Sequence, residues 1–165
     1  MTSLSQQFIE REQKLDKFSL GERAFGTLLT WFQAHQSGVN CLKVMLRGRE
    51  VRVVSGGDDN GIFLAHFGLS DTLVPQDAKV FKYPGAHGSS IKGIDFLNET
   101  TFVTASTDQR LNFWYFNSAS NTLVLAKSYL AEVWDVAGLA LFNDESRNKL
   151  TVTVIGNGSL EFESV

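Results

Sequence analysis

Apolar residues recur along this chain in three sets with one shared spacing. Each set opens on an apolar residue and carries two more at the third and fifth positions after it. The sets are Val39, Leu42 and Val44; Ile91, Ile94 and Phe96; and Val136, Leu139 and Leu141. Each runs on to a polar turn residue, Asp59, Asp108 or Asn157, and these stand 49 residues apart both times. A hydroxyl lies four positions before each turn residue: Ser55, Thr104 and Thr153. Apolar pairs follow it: Ile62 and Leu64, Leu111 and Phe113, Leu160 and Phe162. Alternation of this kind between turn signals reads as β-strand. A repeat of roughly 40–50 residues built from short strands signals a propeller or solenoid array, whose units bury their faces only by stacking.

Within the first copy NCLKVML, EVRVVS and GIFLAHF read as strands, joined by RGR and GGDDN. The second repeats the layout with SIKGIDF, TTFVTAS and RLNFWYF, and the third with VWDVAGLALF, KLTVTVI and SLEFESV. Polar turns this short make antiparallel hairpins. In the second copy Val103 and Ala105 oppose Phe102, while Leu111, Phe113 and Tyr115 oppose Trp114 and Phe116. Apolar residues on both pleat faces predict a sheet packed between neighbouring sheets. Outer strands are expected over 27–33 and over AKVFKYP, the latter after a polar insertion at Gly68–Ala78. Residues 1–26 are polar and of mixed charge, either a linker or a helix over Gln6–Phe18. The expected organisation is that segment followed by an all-β unit over 27–165, with copies near 35–83, 87–130 and 132–165.

Composition narrows the chemistry. The 165 residues carry a net charge of −3, which gives no basic footprint for unaided nucleic-acid binding. No run reaches the ~20 apolar residues of a membrane helix, and no charged-then-apolar leader opens the chain. A cytoplasmic protein without membrane insertion is expected. The single cysteine, Cys41, cannot form an internal disulfide and sits in the first apolar set, so a buried thiol is expected. His35, His66 and His87 are dispersed and lack cysteine pairs, which argues against zinc. SGGDDNG fits neither a phosphate loop nor a calcium loop, and reads as a hairpin turn. No cofactor is expected.

The polar positions add a resemblance. A His before the first strand, a Ser or Thr in the second, an Asp in the next turn and a Trp in the third strand make up the WD-repeat pattern. The second copy has all four: His87, Thr104, Asp108 and Trp114. The first has His35, Ser55 and Asp59, with Ala65 in place of the Trp; the third keeps only Thr153, with Glu132, Asn157 and Glu163 elsewhere. Trp134-Asp135 is a decoy, falling at the start of a first strand. The chain therefore resembles WD-repeat β-propellers, a resemblance that implies a structural network at those seven residues. Read alone, His87, Asp108 and Thr104 would also suit a hydrolase triad, but the structural role accounts for every member.

The strings AHQSGVNCL, VVSGGDDNG, GAHGSSIKGIDFL, TASTDQRLNFWYF and WDVAGLALF are similar to the C-terminal end of the WD-repeat protein six family. That resemblance implies a non-catalytic adaptor partnering the methyltransferase that modifies the ribose 2′-hydroxyl of the tRNA wobble nucleotide. The alternative is a general protein-interaction scaffold in the cytoplasm or in endosomal recycling. Lys43, Arg47, Arg49 and Arg52 surround the first hairpin and would contact either tRNA phosphate or a partner, or simply stand in solvent. A ring needs 4–8 blades, so two blades and a third without an outer strand are expected to belong to a longer protein. Raw sheet edges are then expected to make the isolated chain prone to aggregate.

Overall fold

Short polar turns return each strand against its predecessor, so the sheets grow in sequence order. A computed structural model describes residues 34–71, 75–117, 119–144, 146 and 149–157, with the backbone of 19–20, 23–24 and 159–164. The strands are β1 (Ser19–Leu20), β2 (Arg23–Ala24), β3 (Val39–Arg47), β4 (Glu50–Gly57), β5 (Ile62–Leu69), β6 (Pro75–Tyr83), β7 (Ile91–Phe96), β8 (Thr101–Ser106), β9 (Arg110–Asn117), β10 (Thr122–Leu130), β11 (Val136–Asp144), β12 (Lys149–Gly156) and β13 (Ser159–Ser164). They form antiparallel sheets in the orders β3-β4-β5-β6, β7-β8-β9-β10 and β11-β12-β13, and β1 pairs with β2. The described residues contain no helix, and the larger sheets have the arrangement of WD40 blades.

Two strand expectations need adjustment. β5 continues to Leu69 and β6 begins at Pro75, so Gly68–Ala78 is mostly strand and not an insertion. Polar side chains on an outer rim face water and do not interrupt backbone pairing. The sequence pattern singles out no strand over 122–130, yet β10 runs there. A bulge between Leu125 and Lys127 breaks its alternation and hides the period of two. The polar N-terminal segment contains the β1–β2 pair; the helix expected over Gln6–Phe18 and the strand expected over 27–33 lie outside the described residues.

The middle sheet is buried on both faces, as its sequence requires. Phe102, Trp114 and Phe116, with Ile91 of the same sheet, pack with Val54, Ile62 and Leu64 of the first sheet. Val103, Ala105 and Leu111 pack with Val136, Val152 and Val154 of the third sheet. Two glycines set how closely the sheets approach. A Cβ on Gly56 would lie 2.5 Å from Ile91 Cγ2, and one on Gly93 would lie 2.5 Å from Leu139 Cβ. Cys41 is only partly buried, against the expectation, because it lies at the rim of the first core cluster. Burial still pushes its thiol up to about 11, so it carries no thiolate at neutral pH.

Candidate functional site

The turn between β8 and β9 carries a directed chain of hydrogen bonds. Trp114 Nε1–H donates to Thr104 Oγ1 at 2.8 Å, and Thr104 Oγ1 lies 2.7 Å from His87 Nε2. His87 Nδ1 lies 3.1 Å from Asp108 Oδ2. Asp108 also accepts from the Gly88 N–H at 2.7 Å and the Arg110 N–H at 3.0 Å. With His87 neutral and its proton on Nδ1, every donor in the row has one acceptor: indole to hydroxyl, hydroxyl to imidazole, imidazole to carboxylate. Four elements meet in this row: the loop before β7, strand β8, the turn into β9 and β9 itself. Such a network fixes one turn geometry and leaves no buried polar group without a partner.

The first sheet repeats the arrangement without its indole. His35 Nδ1 lies 2.8 Å from Asp59 Oδ1, and Nε2 lies 2.8 Å from Ser55 Oγ. Asp59 accepts from the Gln36 and Gly61 N–H groups at 2.9 and 3.2 Å. Ala65 is buried where the second copy has Trp114, so Ser55 lacks an indole donor. In the third sheet Thr153 pairs across to position 162, half-buried, and Asn157 stands in the turn, exposed.

Electrostatics follow from burial. Burial pulls His87 below the usual histidine range, although Asp108 beside it opposes the shift. Burial works against ionising Asp108, yet the Gly88 N–H, His87 and the Arg110 N–H together keep its carboxyl below the usual range. In the unfolded chain the imidazole titrates near ~6.5. Below that pH the unfolded state takes up a proton that the folded state resists. The His87 contribution to stability is therefore complete above about pH 6.5 and is lost as pH falls through the folded pKa. Asp108 adds a loss of the same sign below about pH 4. Urea midpoints are expected to fall between pH 7 and pH 5, and His87→Gln is expected to flatten that slope.

Removing the acceptor tests the chain directly. Asp108→Ala leaves the imidazole donor and two backbone N–H groups without their partner, at an expected cost of about 1–3 kcal/mol in denaturant melts. Asp59→Ala is expected to cost less, because the first network lacks its indole and its carboxylate is nearer solvent.

Two further acids, which the sequence reading passes over, tie the sheets together. Asp95 on β7 accepts from Leu141 N–H on β11 at 2.9 Å and sits 3.2 Å from Lys43 Nζ on β3, so one carboxylate touches all three sheets. Asp58 accepts from Asn40 Nδ2 at 2.7 Å and Lys92 Nζ at 3.2 Å. The Asn40 amide, then Ser90 and Lys92, hold its carboxyl down at about 2. A lone Asp between Ile94 and Phe96 is the one signal that could have marked Asp95.

The basic residues of the first hairpin do not form one cluster, although Arg47 and Arg52 line a small groove together with Glu50 and Glu99. Lys43 pairs with Asp95, Arg47 with Glu99 and Arg49 with Asp71. Arg52 lies over the Phe116 ring, 5.8 Å from its centroid. His66, outside the networks, lies 2.7 Å from Glu50. Thr104 is fully buried and its oxygen already receives the Trp114 proton, so the Thr104–His87–Asp108 row offers no nucleophile to a substrate. Among the described residues no cluster of three His, Cys, Asp or Glu is placed to hold a metal ion.

Comparison with known proteins agrees with the architecture. Residues 26–64 match the family described as WD domain, G-beta repeat. Over 127 residues, 69% of the chain, the sequence is 31% identical to tRNA (34-2'-O)-methyltransferase regulator WDR6 of Rattus norvegicus. Identity to the Bos taurus protein of that name is 32% over 120 residues, and to that of Homo sapiens 29% over 127. The matched region spans about 11% of the rat and human proteins and 10% of the bovine one. The chain is thus a WD40-repeat domain with distant, partial homology to WDR6.

Proposed function

We infer that this WD40-repeat domain, related at a distance to a tRNA methyltransferase regulator, is a non-catalytic adaptor. It supports 2′-O-methylation of the wobble nucleotide in the tRNA anticodon, acting in the cytoplasm as a docking platform for the methyltransferase. The observation that carries this reading is the similarity to WDR6 over 69% of the chain. The site geometry is compatible with it. The titratable rows at His35 and His87 are satisfied within their own turns, which suits a rigid scaffold and not a reaction centre. tRNA contact at Lys43, Arg47, Arg49 and Arg52 would require these side chains to exchange their internal partners for phosphate.

Deleting residues 39–165 in cells and measuring 2′-O-methylation at tRNA position 34 tests the assignment. Loss of the modification, with the methyltransferase still present but no longer recovered with the protein, is the expected result. Unchanged methylation rejects the adaptor role and leaves a general interaction scaffold, in the cytoplasm or in endosomal recycling. Reversing charge at Arg47, Arg49 and Arg52 isolates the tRNA-contact element. If phosphate is met there, tRNA affinity drops and its salt dependence flattens, while methyltransferase recovery persists.

A further inference from the structure

The two complete sheets present different outer rims. β6, at the rim of the first, carries Pro75, Asp77, Lys79 and Lys82, and Asp77 has a φ of 53° that turns the strand locally. Charges, proline and backbone irregularity are the features that keep an edge strand from pairing with another chain. β10, at the rim of the second sheet, has neither proline nor an acid, and its guards are one lysine, Lys127, and a bulge between Leu125 and Lys127. It pairs with β9 on one side, and among the described residues no strand pairs with its other side. Residues 117–131 contain no carboxylate and no proline. Val124, Leu125 and Leu130 are exposed by 48, 44 and 65%. The only charged side chain of β10, Lys127, lies over the Tyr129 ring of its own strand at 4.8 Å, so it covers its own strand.

Beside this rim lies a groove of about 580 Å³, lined in part by Leu125, Ser128, Arg110 and Asn112. The β10 bulge lies in its wall. By register Leu125 stands opposite Trp114 and Ser128 opposite Asn112, so two residues three apart share one face with an extra residue between them. Arg110 reaches across to Ser128 Oγ at 3.3 Å and keeps further N–H groups for another acceptor. Asp108 also lines the groove, but its oxygens accept from the Gly88 and Arg110 N–H groups and face the His87 ring.

We propose that β10 receives an extended segment of a protein partner as an added strand, with an acidic side chain of that segment entering the groove to meet Arg110. Backbone pairing along the rim supplies the extended geometry, and alternate side chains supply the specificity. The charge balance selects the occupant: Arg110 and Lys127 flank the rim, and no acid lies along it. This surface is distinct from the methyltransferase reading, since its chemistry holds whichever protein is served.

Hydrogen exchange on the full chain tests it, with two blocked peptides of alternating valine and threonine as probes, one with a central glutamate and one with lysine there. The glutamate peptide is expected to slow exchange across 122–130 and not across 75–83. The lysine peptide should need at least about tenfold more to do so. Arg110→Glu, checked for an unchanged melt, is expected to reverse that preference. Leu125→Lys, a guard charge on an exposed position, should abolish protection by both. Protection by neither peptide, equal protection by both, protection at 75–83 instead, or indifference to both substitutions would overturn the proposal.

Discussion

Trp114→Ala is expected to produce the largest loss of stability of any single substitution in the second sheet, about 3–5 kcal/mol. The indole is 1% exposed and packs edge-on to Tyr83 with ring centroids 5.0 Å apart. Truncation opens a cavity between the first and second sheets and removes the head of the hydrogen-bond row. Trp114→Phe separates the two effects. It keeps most of the packing but strips Thr104 Oγ1 of its N–H donor, at an expected cost of about 1–2 kcal/mol. Denaturant melts of both variants give the partition. Equal costs would place the whole effect in the polar row, and a small cost for alanine would remove Trp114 from the core. The alanine variant should also bring the Asp108→Ala cost down toward that of Asp59→Ala, since both blades would then lack the indole.

Gly93→Ala is the second substitution with a large expected effect, about 2–3 kcal/mol. The added Cβ would stand 2.5 Å from Leu139 Cβ and 2.8 Å from Leu139 N, and a backbone atom cannot rotate away. The inner strands β7 and β11 must separate, which also stretches the Asp95 contact to Leu141 N–H. Gly68→Ala is the control: its nearest neighbour would be Glu50 Oε1 at 3.6 Å, so it should be neutral or slightly stabilising. A melting-temperature comparison decides it. If Gly93→Ala behaves like Gly68→Ala, the sheets are not held at the spacing the structure shows. In the adaptor reading, Gly93→Ala is expected to lower recovery of the methyltransferase together with stability.

The networks at Asp108 and Asp59 were legible because they are local in sequence. A turn residue, a hydroxyl four positions before it and a His about twenty positions before it are fixed by strand length and turn size. Their spacing survives in the chain whatever the sheets do. The basic cluster was legible only as a list of residues. The pleat sends Lys43 and Arg47 toward the second sheet, where Asp95 and Glu99 lie, and the Arg49 turn position faces Asp71. Sequence neighbours thus part to separate acids, and no linear pattern contains those acids. β10 escaped for a related reason: its bulge displaces the alternation by one, so a period-two reading loses it midway.

By itself the sequence determined the first three strands of each unit, the turns between them, the two-faced burial of the middle sheet and the membership of the His87 row. All of these rest on hydrophobic alternation and turn chemistry within about fifty residues. Tertiary structure alone decided the spacing of the sheets at Gly56 and Gly93, the bridging role of Asp95 and the placing of β10, with its groove, at the rim of the second sheet. Each of those depends on atoms brought together from separate sheets. Their separation along the chain is unrelated to their separation in space, and only the packed fold brings the two together.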